Sequence, residues 1–191
     1  MEVEDQIIDA AREEFSEFGV RRASMESVAK RAGLGRATIY RRFSSKSELV
    51  AATFQREARL FVDQLDEIWD GPGSLEDRMT GAWIQAMELL RDHTLINQLL
   101  RKDPESILPL VTVDGTPLLE LIASLYADRL GREVGRGALP EGAQIELAAE
   151  MLARVGVSLA LNPAGGVPTD DPESVRRFVT LYFLDPLRAK S

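Results

Sequence analysis

Cysteine is absent from this chain of 191 residues, and histidine occurs only once, as His93. Disulfides and thiolate metal sites are therefore excluded, and a zinc site would have to rely on carboxylates. We predict neither a metal ion nor a cofactor. Because the chain also lacks a phosphate-cradling glycine loop and a nucleophile–base pair, we do not expect an enzyme.

Long apolar runs are missing as well, since none approaches the roughly 18 residues that a membrane-spanning helix needs. The first residues, MEVEDQ, are acidic, unlike the basic start of a secretory signal. We therefore expect a cytoplasmic protein without a membrane partner.

Positive charge is scarce overall but concentrated in one stretch. The chain has 23 basic and 31 acidic residues, a net charge of −8, which by itself argues against nucleic acid as a partner. Residues 20–47, however, hold eight basic residues against Glu26 alone, a local net charge of +7. These basic residues are Arg21, Arg22, Lys30, Arg31, Arg36, Arg41, Arg42 and Lys46. Such a patch on an acidic body attracts a polyanion to one face only.

Apolar residues recur at helical spacing almost throughout, and strand-like alternation is scarce, so we predict an all-α fold. An apolar stripe closed by Gly19 predicts a first helix. Ser24 and Gly33 are the expected start and end of a second helix, and Gly35 opens a third.

Start and stop signals divide the rest of the chain into further helices. Ser45 and Glu48 match a capping box that opens a long fourth helix over residues 46–69. Further starts are expected at Ser74, Asp103-Pro104, Thr116-Pro117 and Asp171-Pro172. We predict a glycine-rich loop over residues 131–140, helices over 141–161 and 172–188, and a loop over 162–170 between them. The expected domains are residues 1–46, which bind DNA, and residues 47–191, a helical bundle for ligand binding and dimerisation.

The segment AGLGRATIYRRF, residues 32–43, has the pattern of a helix-turn-helix. Leu34 is expected to fill the gap between the two helices, with Ile39 and Phe43 facing inward. Arg36 and Arg41 then face outward, where each guanidinium can donate two parallel hydrogen bonds to guanine. Ala37 is small enough to let the helix approach a base edge.

Other residues nearby suit the phosphate backbone, which fixes register without reading sequence. These are Thr38, Tyr40, Arg42 and Lys46, with Ser24 and Ser27 at the start of the preceding helix. The alternatives are that the arginines form a solvated face, that Thr38 bonds within its own helix, and that Tyr40 is half-buried packing.

Residues 7–49, with the runs IIDAAREEFSEFG, SMESVAKRAGLGRATIYRRF and SSKSEL, resemble the DNA-binding domain of the tetracycline-repressor (TetR) family of transcriptional regulators. The resemblance implies a three-helix domain whose third helix enters the major groove, followed by an all-α ligand-binding and dimerisation body. It places Arg36, Ala37 and Arg41 at base-reading positions. Thr38, Tyr40, Arg42 and Lys46 fall at phosphate-contacting positions.

The sequence departs from that family pattern at Gly35, where serine or another polar residue is frequent, and at Arg42, where histidine is frequent. Both departures favour more electrostatic backbone contact.

The last two predicted helices are apolar on two faces, which is typical of helices between two layers. We predict a homodimer that uses residues Ala148, Leu152, Val155, Leu159, Phe178, Leu181 and Tyr182. The alternative is the ordinary core of a monomer.

Apolar side chains on the middle helices suggest a small-molecule site of the kind that forms between bundle helices. The candidates are Phe61, Leu65, Trp83, Met87, His93, Leu118 and Ile122, and an apolar or cationic ligand suits the acidic body best. The alternatives are plain core packing and, for His93, a solvated charge at a helix end.

Together these features predict a homodimeric repressor of transcription that binds a palindromic operator in double-stranded DNA and is released by a ligand. The alternative is a ligand-independent activator or an architectural DNA-binding protein.

Overall fold

The structure, a computed structural model, describes residues 2–189, and within that range the chain is helical with no strand. The prediction of an all-α fold is confirmed. The helices are α1 (Val3–Phe18), α2 (Met25–Ala32), α3 (Arg36–Arg42), α4 (Lys46–Asp63), α5 (Asp66–Trp69), α6 (Leu75–Asp92), α7 (Thr94–Lys102), α8 (Pro104–Val111), α9 (Thr116–Gly135), α10 (Ile145–Leu161), α11 (Pro172–Val179) and α12 (Asp185–Arg188), with a π turn (Thr180–Leu184) before the last.

These helices form two compact units, each with its own apolar core. The first unit comprises Met1–Glu57 and Asp92–Leu118, and the second comprises Ala58–Arg91 and Leu119–Ser191, as far as the structure describes them. The first unit therefore takes in α7, α8 and the first part of α4 besides the first three helices. The functional boundary at residue 46 stays a prediction.

In the first unit, α1 packs against both α2 and α7. Hydrogen bonds join the corner between α7 and α8 to the end of α1 and the turn after it. The Asp103 carboxylate accepts from the backbone N–H of Arg21 at 2.6 Å. The Lys102 ammonium donates to the carbonyls of Ser16 and Glu17 at 3.0 and 3.3 Å. The turn between α1 and α2 is thus held by residues about eighty positions further along the chain.

The core of the second unit contains Trp69, Trp83 and Phe183. Its polar interior centres on Glu133, a carboxylate that is 1% exposed and pairs with Arg78 and Arg136. This residue lies in α9, which continues to Gly135. The prediction of a loop from residue 131 was therefore wrong at its start: burial and ion pairing of Glu133 keep the chain helical despite Gly131.

The predicted long fourth helix is broken. α4 ends at Asp63, and α5 begins at Asp66. In a continuous helix the carbonyl of Val62 would accept from the N–H of Asp66. Here it accepts instead from the N–H of Leu65 at 3.0 Å and from the Arg129 guanidinium at 3.3 Å. Competition for this one carbonyl is a physical reason for the break.

Several predicted helix starts are confirmed by their caps. Ser74 and Asp77 bond reciprocally at the start of α6, and Asp171 accepts from the N–H of Ser174 at the start of α11. At α4 the Ser45 hydroxyl accepts from the N–H of Glu48, as predicted, but the Glu48 carboxylate accepts from Ser44. The Ser44 bonds lower the pKa of Glu48.

The helix after α11 widens into the π turn just before Pro186. Proline lacks an N–H and its ring crowds the carbonyl four residues earlier, here that of Tyr182. The Asp185 N–H reaches back five residues to the carbonyl of Thr180, which is π-type bonding. Proline at this position thus explains why the last predicted helix is interrupted.

Within residues 2–189 no single helix is long and apolar enough to cross a membrane; α8 and α9 pass that test only as a pair bent by 55°. No group of three or more acidic or histidine side chains in the same range is arranged to hold a metal ion.

Candidate DNA-binding surface

The turn between α2 and α3 has the geometry that a helix-turn-helix requires. Gly33 adopts a left-handed conformation with φ of 67°. Its N–H bonds to the carbonyl of Lys30, and the Leu34 N–H bonds to that of Ala29, which is the Schellman pattern. Leu34 is partly buried and packs against the first core. That it fills the gap between the two helices stays a prediction. The glycine is needed for the backbone conformation, because no neighbouring atom limits the space for a side chain there.

The faces of α3 divide as predicted. Ile39 and Phe43 are buried in the core of the first unit. Exposed on the opposite side are Arg36, Ala37, Tyr40, Arg41 and Arg42, whereas Thr38 is half-buried. Tyr40 is 45% exposed, so its ring is available to a partner.

The arginines of this region have different charge partners. Arg31 pairs with three carboxylates of α1, those of Glu13, Glu14 and Glu17, and these bonds raise its pKa. Its charge is therefore neutralised by carboxylates of the same chain. Within the described residues Arg41 forms no ion pair, and neither does Arg42, which leaves both for an external anion.

Arg36 is paired with Glu26 of α2. Sequence reasoning did not find this pair, because the two residues lie on different helices and no local spacing connects them. The single acidic residue of the basic stretch thus lies beside a predicted base-reading arginine.

Ser24 and Ser27 form a reciprocal capping box at the start of α2. The Ser27 N–H donates to the Ser24 hydroxyl at 3.0 Å, and the Ser24 N–H donates to the Ser27 hydroxyl at 2.9 Å. The Ser27 hydroxyl itself donates to the carbonyl of Ser24. A phosphate contact from that hydroxyl would cost this bond, so the DNA role of both serines stays a prediction.

The Lys46 ammonium is directed into the protein. It donates to the backbone carbonyls of Val20, Arg21 and Ala23 at 3.0, 3.4 and 3.1 Å. Its observed partners are those of the turn between α1 and α2, so a phosphate contact would have to compete with them.

The predicted ligand residues are distributed over both units. Phe61, Leu65, Trp83, Met87 and Ile122 belong to the second unit, and His93 and Leu118 to the first. His93 is not a solvated charge, since its side chain is 14% exposed and caps α7 by accepting from the Ile96 N–H at 3.4 Å. Leu65 and Trp83 are buried, and Trp83 donates to the carbonyl of Pro168.

The predicted dimer residues divide by burial. Leu181 and Tyr182 are 58% and 62% exposed, but Leu152 and Leu159 lie in the core of their own chain. Side chains buried in this way present little surface to a partner, so the dimer role of these two leucines stays a prediction. Leu147 and Met151, exposed and one turn apart on α10, were missed.

Residues 7–53 match the family described as bacterial regulatory proteins of the tetR family. They span the three helices and the turn whose geometry is given above. This stretch is the DNA-binding domain of the TetR family. The chain is a DNA-binding transcriptional regulator and not an enzyme.

Relatives extend the likeness of this regulator beyond its first helices. YhgD, an HTH-type transcriptional regulator of Bacillus subtilis, is 24% identical over 183 residues, which are 96% of this chain and 95% of that protein. The TetR family repressor AlkX from Dietzia has a TM-score of 0.75 at 24% identity and 95% coverage of both chains. FadR from Bacillus subtilis, solved with stearoyl-CoA, has a TM-score of 0.56 at 20% identity, covering 93% of this chain and 97% of its own. At such identities the structural matches show a shared fold.

Proposed function

We propose that the regulator is a repressor that binds a palindromic operator as a homodimer and leaves it when a small molecule binds. The observation that carries the proposal is the outward face of α3, where Arg36, Ala37, Tyr40 and Arg41 are exposed together. Arginine is the residue that most often reads guanine in the major groove, and a small residue beside it permits close approach.

A homodimer suits this surface because one seven-residue recognition helix reads too short a site. Two copies related by a twofold axis read half-sites about 34 Å apart, one turn of DNA. We assign the dimer contact to the exposed apolar side chains of Leu147, Met151, Leu181 and Tyr182, together with the half-buried Phe178. Ala148 and Val155, on α10 as well, are also half-buried.

A selection from random duplexes with the purified protein tests the DNA part of the proposal. We expect a palindromic site whose half-site centres are about 10 base pairs apart. An enriched sequence without symmetry would contradict the homodimer, and no enrichment at moderate salt would contradict the whole proposal.

The second unit supports a ligand site because its interior holds a buried indole N–H without a protein partner and a desolvated tyrosine. Within the described residues the Trp69 indole N–H is buried and unpaired. Desolvation raises the pKa of Tyr126 to about 12, so its hydroxyl stays protonated at neutral pH. Both side chains belong to the core of this unit or pack against it. A ligand with an apolar body and one or two acceptor oxygens would suit this environment.

The relatives favour an apolar chain over a cationic ligand. AlkX is implicated in the biodegradation of n-alkanes, and FadR was solved with stearoyl-CoA. We therefore propose a long-chain hydrocarbon derivative as the ligand class. The prediction of an apolar ligand is kept, and the cationic alternative becomes secondary.

Release requires only that the ligand prefers the state in which the recognition helices are wrongly spaced. To shift the equilibrium between the two states a hundredfold, the ligand must bind one of them more tightly than the other by about 2.7 kcal/mol. α4 is suited to carry the change, because it begins at Lys46 in the first unit and ends at Asp63 in the second.

A thermal-shift screen of fatty acids, alkanes and acyl thioesters, followed by operator release, tests the ligand part. We expect stabilisation and release by the same compounds. If no compound in these classes or among organic cations stabilises the protein, the ligand-independent alternative is favoured.

A further inference from the structure

Glu26 is the only acidic residue among residues 20–47, and its carboxylate is paired with the Arg36 guanidinium. Glu26 is the second residue of α2, and Arg36 is the first residue of α3. Both side chains remain accessible, at 47% and 65% exposure. The pair therefore lies at the protein surface, beside the other exposed residues of α3.

Stability does not explain this pair, because exposed ion pairs contribute little to folding. The neighbouring Arg31 shows the contrast, since its carboxylate Glu14 is only 8% exposed and the cluster joins α2 to α1. Among the three arginines of α3, Arg36 is the one with a carboxylate partner within residues 2–189. The pair thus distinguishes Arg36 from Arg41 and Arg42.

A carboxylate partner has two effects on an arginine at a DNA surface. It restricts the rotamers of a long side chain, so less conformational entropy is lost when the planar guanidinium meets a base edge. It also cancels the attraction of that guanidinium for phosphates, which are present in every sequence. Both effects favour base reading over backbone binding.

We propose that Glu26 is a specificity-determining residue: it positions Arg36 to read a base and prevents it from binding phosphate. This inference rests on the proposed function, because it takes α3 as the recognition helix. It adds a residue of α2, with a negative charge, to a surface otherwise described by its cations.

The test is Glu26→Gln, measured by affinity for the selected operator and for an unrelated duplex across a range of salt concentrations. Without its partner, Arg36 is free to neutralise a phosphate. We expect tighter binding to unrelated DNA. The slope of log affinity against log salt concentration should become steeper by about 0.9 for each copy of the chain, and so by about 1.8 for a dimer. The ratio of specific to unrelated affinity should fall by about fivefold or more, and one base pair per half-site should lose its preference.

Glu13→Gln is the matched control, because it makes the same change of charge in the same unit. Glu13 pairs with Arg31 at 3.4 Å, but Arg31 keeps Glu14 and Glu17 as partners. Glu13→Gln should therefore leave the salt slope and the selected sequence unchanged. In an Arg36→Ala background, Glu26→Gln should have no further effect.

If Glu26→Gln matches Glu13→Gln in slope and selected sequence, the inference is overturned. It is also overturned if the effect of Glu26→Gln persists without Arg36. A wild-type protein with no sequence preference would instead overturn the proposed function, so the two failures are distinguishable.

Discussion

Lys46 fits a phosphate-contacting position by resemblance, yet its ammonium bonds three backbone carbonyls of the turn between α1 and α2. Side-chain chemistry and sequence position cannot separate these two roles, because a lysine can donate to either kind of oxygen. The distinction depends on a contact between residues 23 to 26 positions apart.

We predict that Lys46→Ala lowers the stability of the protein, because it leaves these carbonyls without their donor. Thermal unfolding should show a lower Tm, with weaker binding to all duplexes as a secondary effect. An unchanged Tm together with a flatter salt dependence of binding would show instead that Lys46 contacts phosphate.

His93 has a lowered pKa, mainly because its ring is desolvated, with Arg12 contributing and Glu57 opposing. The neutral ring is the form that caps α7, since Nδ1 must accept from the Ile96 N–H. The unfolded chain binds a proton near the usual pKa of 6.5. The stability from neutral His93 is thus present above pH 6.5 and is lost as the pH falls towards the lower folded pKa.

We predict that His93→Asn flattens this part of the pH dependence, because asparagine can cap the helix without titrating. Denaturant unfolding between pH 8 and pH 5 measures the effect. Equal slopes for the variant and the wild type over this interval would contradict the assignment to His93.

Helices whose ends depend on neighbouring residues were predictable. Ser24, Gly33, Ser74 and Asp171 act within three or four positions of themselves, so their capping signals are readable from the sequence. The inward positions of Leu34, Ile39 and Phe43 follow from helical spacing in the same way.

The elements that sequence reasoning missed depend on distant partners. The break after α4 involves Arg129, whose guanidinium bonds the carbonyl of Val62 from 67 positions away. The continuation of α9 depends on Glu133, which meets Arg78 across 55 positions. Glycines such as Gly131 signal a loop locally, and tertiary contacts override that signal.

The corner between α7 and α8 supports the turn between α1 and α2 through the side chain of Asp103. Asp103 is 5% exposed, and its carboxylate bonds the Arg21 N–H and the Ser106 hydroxyl. Asp103→Ala should lower the free energy of unfolding by about 1.5–3 kcal/mol, the typical contribution of a hydrogen bond to a charged group. Urea unfolding measures this change.

Asp103→Asn is the control, because its amide oxygen still accepts from the Arg21 N–H. It should cost less than Asp103→Ala. Equal losses for the two variants would show that the hydrogen bond to Arg21 is not the source of the effect.

For the proposed dimer, the contact is assigned to the exposed apolar side chains of α10 and of the π turn. We predict that Leu147→Glu yields a monomer, because a dimer would bury the new carboxylate without a partner. Operator affinity should fall together with dimerisation. Light scattering and duplex binding measure the two effects.

Leu60→Glu is a matched control, since Leu60 is also an exposed leucine, at 47%, but lies on α4. It should leave the oligomeric state unchanged. A Leu147→Glu protein that remains dimeric would move the contact to another face.

The helices at this face illustrate how far sequence reasoning reaches. Apolar residues on two sides of residues 141–161 indicated a helix with a second apolar contact surface. The spacing could not decide which side faces the chain's own core, because Leu152 and its neighbour Met151 are similar in character. Only the packing shows that Leu152 is inside and Met151 outside.

The two separate stretches of the first unit have a practical consequence for protein engineering. A hybrid regulator that joins residues 1–57 to a foreign body would lose α7 and α8. Leu95, Leu99 and Ile107 would then be missing from beside Phe15 in the first core, exposing apolar surface to water. To transfer the operator preference of this protein, residues 92–118 must therefore be transferred together with residues 1–57. The alternative is to graft only the outward side chains of α3 onto a recipient protein that keeps its own core beneath that helix.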